Sequence, residues 1–489
     1  METSQRLRRV ATTDRIAVRM LAAIGLLAGG VIVWAGGQVG PPPGALAGVS
    51  WWGTFAPVRT QSTWPGITVL GGVAVLIAAW LATLTLAQRR HWSIRRIWLL
   101  VGVWASPFAV GPPILSNDAY SYVAQGLMVI EGRSAYSSGP SVLGQSPALA
   151  AVDPRWRDTP SPYGPLATAV QSVAAHVGGA SELVSIIVLR IVAIGSMVAI
   201  GVFAASLAAP HGRSALAVAL TVGNPLLLLQ FLGAAHLDGL MCALLMGALV
   251  AARRGQLDAG VALGCAAAAV KAPAMAVVVV IVAMACADVP SGRQRRRLLV
   301  RTVALAASVL AGLALLVPDG WGWVGALTTP GRADTAWAPA DVIGIVLHAG
   351  VGWLPASAVV LSALGRTAAL VAAGALAWWL LATLRRRLVA DTTGGLLLTA
   401  ALGPVVYPWY LGWGLVCLAP GASRQSQGWL VAVSAVGCLA SVPALSHPVA
   451  MSVAVAAGMA VCAFGAHNSG VRRAMVPGVI RSSEPARSR

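Results

Sequence analysis

Long apolar runs recur along the chain and are separated by short polar breaks: Ile16–Trp34, Ile67–Ala87, Trp98–Leu115, Leu183–Ala209 and Leu298–Val317. Each approaches or exceeds the roughly 20 residues that a membrane-spanning helix needs. The first run is too long for a cleaved signal peptide, and no small-residue cleavage site follows it ahead of a soluble domain. Shorter runs follow the same plan. Ala215–Ala235 and Gly239–Ala252 read as an outward and a returning helix, while Ala259–Val270 and Ala274–Ala287 flank Lys271-Ala272-Pro273 as a tight hairpin. The pattern predicts an all-α polytopic membrane protein in a single integral membrane domain, residues 1–489, with about 13 transmembrane helices.

Arginine placement orients these helices. The chain carries a formal net charge of +19, with 34 Lys and Arg against 15 Asp and Glu. In a soluble protein that balance would point to nucleic acid. Here the basic residues cluster between apolar runs, as in Arg89/Arg90/Arg95/Arg96, Arg253/Arg254, Arg293/Arg295/Arg296/Arg297 and Arg385/Arg386/Arg387. Cytoplasmic loops of membrane proteins carry such clusters, so no nucleic-acid partner is expected. The rule places the tail 1–15 and the basic tail 468–489 in the cytoplasm, and puts two loops, 116–162 and 319–341, outside. The stretch Val342–Leu364 does not fit simple alternation and is read as peripheral or re-entrant.

Composition agrees with the pattern. Of 489 residues, 57% are hydrophobic and 10% charged, against about 25% charged in soluble domains, and the mean hydropathy is +0.78. The six cysteines all fall in apolar stretches without a CxxC neighbour, so neither disulfides nor a metal knuckle is indicated. There is no GxGxxG after a strand, no P-loop and no HExxH, which argues against ATP-driven transport and nucleotide-dependent cytosolic chemistry.

Few side chains are left to carry chemistry. No acid occurs between Asp14 and Asp118, yet the loop 116–162 holds Asp118, Glu131, Asp153 and Asp158. Asp118 can act as a general base toward a hydroxyl or, with Ser116 and Asn117, cap the helix that follows. Tyr120 and Tyr122 beside it suit a sugar or lipid site. Lys271, the single lysine, is a compact cation suited to phosphate or a residue that snorkels to headgroups. Arg190, inside Leu183–Ala209, poses the same choice, because an ionisable group in a spanning segment is costly and usually functional. His236 and Asp238 stand at a helix end, too few to bind a metal but able to hydrogen-bond a ligand or cap the helix. Tyr407-Pro408-Trp409-Tyr410 is either an interfacial aromatic belt or a proline-broken segment lining a cavity.

The run Ser116-Asn117-Asp118-Ala119-Tyr120-Ser121-Tyr122-Val123-Ala124-Gln125-Gly126 resembles the first external-loop signature of the actinobacterial polyprenol-phosphomannose-dependent alpha-1,6-mannosyltransferases, the MptA/MptB type, with the GT-C fold. Ser161-Pro162-Tyr163-Gly164-Pro165, Gly223-Asn224-Pro225-Leu226, the trio His236, Asp238 and Met241, Val270-Lys271-Ala272 and Pro408-Trp409-Tyr410 are similar to later family segments in the same order. The similarity covers roughly residues 97–420. One position departs: Leu237 stands between His236 and Asp238 where the family has Asn.

The resemblance implies an inverting transfer of mannose from a polyprenyl-phosphate-mannose donor to a lipid-anchored mannan or lipomannan acceptor, on the outer face of the plasma membrane among its lipids. Asp118 would be the base, Lys271 and Arg190 would hold the donor phosphate, and Tyr120, Tyr122, Tyr163, His236, Asp238, Trp409 and Tyr410 would bind substrate. No cofactor and no metal ligands are expected, with a divalent cation at the phosphate left open. Alternatives are the same architecture with another polyprenyl-phosphate sugar, such as arabinose, and a lipid-linked-sugar transporter, although the inverted repeats of a transporter are not visible.

Overall fold

A computed structural model describes residues 2–38, 64–327, 391, 393–397 and 407–442. Val342–Leu364, Arg385–Arg387 and the tail 468–489 lie outside the described residues, as do Asp334 and Trp337 of the second loop. Among the described residues every regular element is helical.

Helix α1 (Glu2–Gly36) packs on α2 (Trp64–Arg90) and α3 (Ile94–Val110). Trp104 holds α3 to α1, and Trp80 ties α2 to a later helix of the chain. Trp104 Nε1 donates to the Leu21 carbonyl at 2.9 Å and Trp80 Nε1 to the Ala219 carbonyl at 2.7 Å, which gives each buried indole N–H a partner. At the basic end of these helices, Asp14 accepts from Arg90 at 2.9 Å and from Arg96 at 3.1 Å. Asp14, the last acid before Asp118, therefore joins α1 to the α2–α3 turn.

Helix α3 ends earlier than its apolar run. Gly111-Pro112-Pro113 leaves the helix at Val110, because proline removes N–H donors and restricts the residue before it. Helix α4 (Asp118–Ile130) then lies against α5 (Pro165–Gly178). The segment between them is folded tightly on itself. Ser161 Oγ donates to Gln125 Oε1 at 3.0 Å, Ser141 N to the Arg157 carbonyl at 2.7 Å, and Arg155 forms a two-point pair with Asp153. Tyr136 shares a 2.9 Å hydroxyl contact with Thr168 of α5, and Ser134 Oγ donates to Asp319 at 2.7 Å.

Helix α6 (Glu182–Ala208) follows, then α7 (Ser214–Leu220). The apolar run 215–235, expected as one helix, is bent by 51° between α7 and Pro225–Gly233. Pro225 accounts for the break, and Asn224 fills it, accepting from Leu226 N at 2.9 Å and donating to Ser434 Oγ at 2.7 Å. Residues Leu228–Gly233 wind as a π-helix, a rare form found often at functional sites. Helices α8 (Asp238–Arg253), α9 (Leu257–Ala268), α10 (Met275–Ala287) and α11 (Gly292–Ala314) complete this half, and α12 (Leu411–Leu418) and α13 (Arg424–Ala440) close the described bundle.

By length and apolarity, four described helices can cross a membrane, and the bent pair makes up to five. These helices mark a membrane protein. The expected total of about 13 includes stretches outside the described residues and pieces such as α9 and α10, which are shorter than a full span.

Candidate active site

Six separated segments converge beside the start of α4: the helix itself, Ser161–Pro165, the turn 235–238, Lys271, the aromatic run 407–410 and Trp413 of α12. Asn117 stands at the N-cap of α4 but makes no side-chain capping bond. The Asp118 carboxylate is turned instead to His236, whose Nδ1 lies 3.2 Å from Asp118 Oδ2. About a fifth of the Asp118 side chain (21%) is exposed, while His236 is fully buried, so the carboxylate is the member of the pair that a ligand can reach. Burial pushes the Asp118 pKa up. The His236 charge and hydrogen bond, the Lys271 charge and a Ser116 hydrogen bond act the other way, and the net shift is downward. Its place in the first turn of a helix also favours the anion.

A second carboxylate serves as an internal partner. Asp238 opens α8, is fully buried, and accepts from Lys271 Nζ at 3.0 Å and Trp413 Nε1 at 2.7 Å. The Lys271 ammonium lies 4.8 Å from the Tyr163 ring centre, 4.5 Å from Tyr410 and 5.3 Å from Trp413. Aromatic faces attract a cation at this range, so the ammonium sits in an aromatic box closed by one carboxylate. Buried within the same site, Asp238 Oδ2, His236 Nε2 and Trp409 Nε1 have no hydrogen-bond partner. Such atoms normally find one, which points to a polar ligand or rearrangement at this site.

The aromatic segment supplies the walls. Trp409 stacks on His236 at 4.0 Å and on Tyr407 at 4.4 Å, and Tyr410 stacks on Trp413 at 4.2 Å. Tyr122 and Tyr163 meet edge to face with their hydroxyls 2.7 Å apart. The Leu237 side chain is buried in the core. The position that departs from the family pattern thus brings no polar side-chain atom to the site.

The turn at Tyr163-Gly164-Pro165 couples this wall to Lys271. Gly164 N donates to the Val270 carbonyl at 3.0 Å and Leu166 N to the Ala269 carbonyl at 2.9 Å. A Cβ on Gly164 would stand 2.3 Å from the Ala269 carbonyl oxygen, so only glycine admits the approach, and Pro165 starts α5 at the position where its missing N–H costs nothing. Gly164→Ala is expected to push the Lys271 segment away and to cost about 1–3 kcal/mol through overpacking. A lowered thermal midpoint in detergent together with reduced turnover would show it; parent-like values for both would refute it.

Of the residues singled out in the sequence, Asp118, Tyr122, Tyr163, His236, Asp238, Lys271, Trp409 and Tyr410 come together here. Arg190 and Tyr120 do not join them. Arg190 is 4% exposed and directs its guanidinium to backbone carbonyls, and Tyr120 is buried on that side of α4. Tyr407 comes in with the aromatic run, and Trp413 joins the site without being among the residues singled out. The available signal was spacing: Trp413 follows Trp409 by four residues, which puts both on one side of a helical turn.

Among the described residues no group of three or more His, Cys, Asp or Glu side chains is placed to hold a metal ion. An ionised, reachable carboxylate beside a buried imidazole, with a cation and stacked rings close by, can deprotonate a hydroxyl and hold a phosphorylated, ring-bearing substrate.

Comparison with known proteins identifies relatives of the chain along most of its length. Residues 19–287 match the family model described as alpha-(1->6)-mannopyranosyltransferase, N-terminal domain, and residues 339–468 match the MptB C-terminal domain. The chain is 26% identical over 371 residues to alpha-(1->6)-mannopyranosyltransferase A of Mycobacterium tuberculosis, covering 72% of this chain and 70% of that one. It is 28% identical over 418 residues to alpha-(1->6)-mannopyranosyltransferase B of Corynebacterium glutamicum, covering 76% and 67%. No solved structure matches. The chain belongs to the MptA/MptB family of alpha-(1->6)-mannopyranosyltransferases, and with it to the glycosyltransferases.

Proposed function

We propose that this protein transfers mannose from polyprenyl-phosphate-mannose to a lipid-anchored mannan or lipomannan acceptor, forming alpha-1,6 linkages on the outer face of the plasma membrane. The observation that carries this reading is Asp118, an ionised and partly exposed carboxylate held 3.2 Å from His236. A lipid-linked donor fits a membrane-embedded site, because it brings an activated sugar to a place where nucleotide sugars are absent. The fold that goes with it is a GT-C arrangement of about 13 spans, with residues 116–162 as the external catalytic loop.

In this reading Asp118 accepts the proton of the acceptor hydroxyl as its oxygen bonds to the sugar C1. The C1–O bond to the lipid phosphate breaks on the opposite face, its electron pair leaves with the phosphate, and configuration inverts through an oxocarbenium-like transition state. His236 holds the carboxylate in place. Lys271 faces the negative charge that grows on the leaving phosphate, a contribution of a few kcal/mol for a donor poised where charge develops, typically about 3–4. Tyr122, Tyr163, Trp409 and Tyr410 supply flat faces for the sugar and the first prenyl units.

Purified protein in detergent should make mannosylated product from polyprenyl-phosphate-mannose and a short mannoside acceptor, with no membrane gradient present. It should leave polyprenyl-phosphate-arabinose unused. Transfer of arabinose in its place would reassign the donor, and binding of either lipid without product would move the protein to the transporter class.

A further inference from the structure

Two loops deliver the close pair Asp118 and His236, and neither is regular. Gly111–Asn117 leads into α4, and Gly233–Leu237 leads out of the π-helix into α8. Each contains a non-glycine residue with positive φ: Leu115 at 65° and Ala235 at 56°. For residues with a Cβ this left-handed conformation is unfavourable, and it persists only where surrounding structure enforces it. The loops touch directly, with Ile114 N donating to the Gly233 carbonyl at 3.2 Å.

Arg190 grips both. Reaching from the first half of α6, its Nη1 donates to the carbonyls of Leu232 and Gly233, the latter at 3.0 Å, and its Nη2 donates to the Gly111 carbonyl at 3.2 Å. Those acceptors are the carbonyl end of the π-helix and the residue at which α3 stops, where orphan carbonyls collect. A planar fork of donors can bridge two backbones at a fixed separation, which a single ammonium cannot do.

We infer that Arg190 is a positioning residue, a strap that fixes the two loops against each other and so sets the separation of Asp118 from His236. It acts through backbone, and its donors are directed to carbonyls rather than to a donor phosphate. The inference rests on the reading of Asp118 as the base only for its effect on rate; the strap itself has a test that needs no activity.

Ile114→Cys and Gly233→Cys supply that test. A Cβ on Gly233 would stand 3.4 Å from Ile114 Cγ1, so cysteines at the two positions face each other closely enough to be tested as a bridge. With Arg190 present, mild oxidation should close the bridge readily; with Arg190→Lys added, closure should slow severalfold. An unchanged closure rate would overturn the strap, whether or not the protein transfers mannose. On the single variant Arg190→Lys, kcat should fall roughly 100-fold, the cost of a misplacement of about 1 Å in a reacting pair, while the donor KM stays at the parent value. A raised donor KM at parent kcat would overturn the inference and return Arg190 to the phosphate. If Arg190→Lys is too unstable to purify, the triple variant purified in its oxidised state carries the test. It should be active with the bridge closed and lose that activity on reduction, whereas the same low activity in both states would count against the strap.

Discussion

Asp118→Asn is expected to lower mannosyl transfer by about 100- to 10,000-fold, the range a positioned general base contributes, with the folded protein and its donor affinity retained. Asparagine keeps the size and the position at the start of α4 but cannot take a proton. Transfer assays under saturating donor, set beside lipid binding by the same preparation, separate the two quantities. Parent-like turnover by Asp118→Asn would end the assignment.

The same residue gives a pH signature. The Asp118 pKa is below the usual carboxylate value, so the group is already ionised at neutral pH. Turnover should hold as pH falls and fail only below the ordinary range of about 3.9. Among the influences that lower it, the His236 charge and hydrogen bond come first. His236→Gln should therefore move the acid limb of the kcat profile to higher pH, and an unmoved limb would show that another group sets it.

The second large effect concerns the buried pair. Lys271→Met leaves the Asp238 carboxylate with one oxygen unpartnered and the other bound by Trp413 alone, and Asp238→Leu leaves an ammonium facing three rings. Removing one member of a buried pair costs about 3–5 kcal/mol because the other charge is stranded, while replacing both is often neutral. Each single variant should lose thermal stability sharply in detergent, and Lys271→Met/Asp238→Leu should regain most of it. The double variant should nevertheless be inactive if Lys271 meets the leaving phosphate as proposed, since that cation has gone. A stable and active double variant would reduce the pair to scaffolding.

Periodicity carried far in reading this chain, and it failed where the backbone breaks. The run 183–209 corresponds to α6 and the run 67–87 to the core of α2, because long apolar segments have few ways to satisfy their backbone in lipid other than as helices. The apolar run Trp98–Leu115 outlasts its helix, which ends at Val110, and the run 215–235 is bent, with Gly111-Pro112-Pro113 and Gly223-Asn224-Pro225 as the sequence signals of the two interruptions. The site was legible as a set of suspects rather than as a geometry. Unusual residues stood out against an apolar background: one lysine, one acid after a hundred-residue gap, tyrosines and tryptophans in clusters. Which of them pair was hidden, since Lys271 and Asp238 lie 33 positions apart and Trp413 lies 175 from Asp238. Arg190 shows the limit most clearly. Sequence says that a cation inside an apolar helix needs a partner, and backbone carbonyls, which every sequence contains, leave no trace in it.

The aromatic box around Lys271 has a practical consequence. Because the chain contains a single lysine, lysine labelled only at its ζ nitrogen introduces one labelled side-chain resonance, and it arises inside this site. Ring currents from Tyr163, Tyr410 and Trp413 would displace that signal from its free position, and any ligand that parts the ammonium from Asp238 would move it again. The enzyme thus carries its own spectroscopic reporter of occupancy, with no probe to attach and no background to subtract.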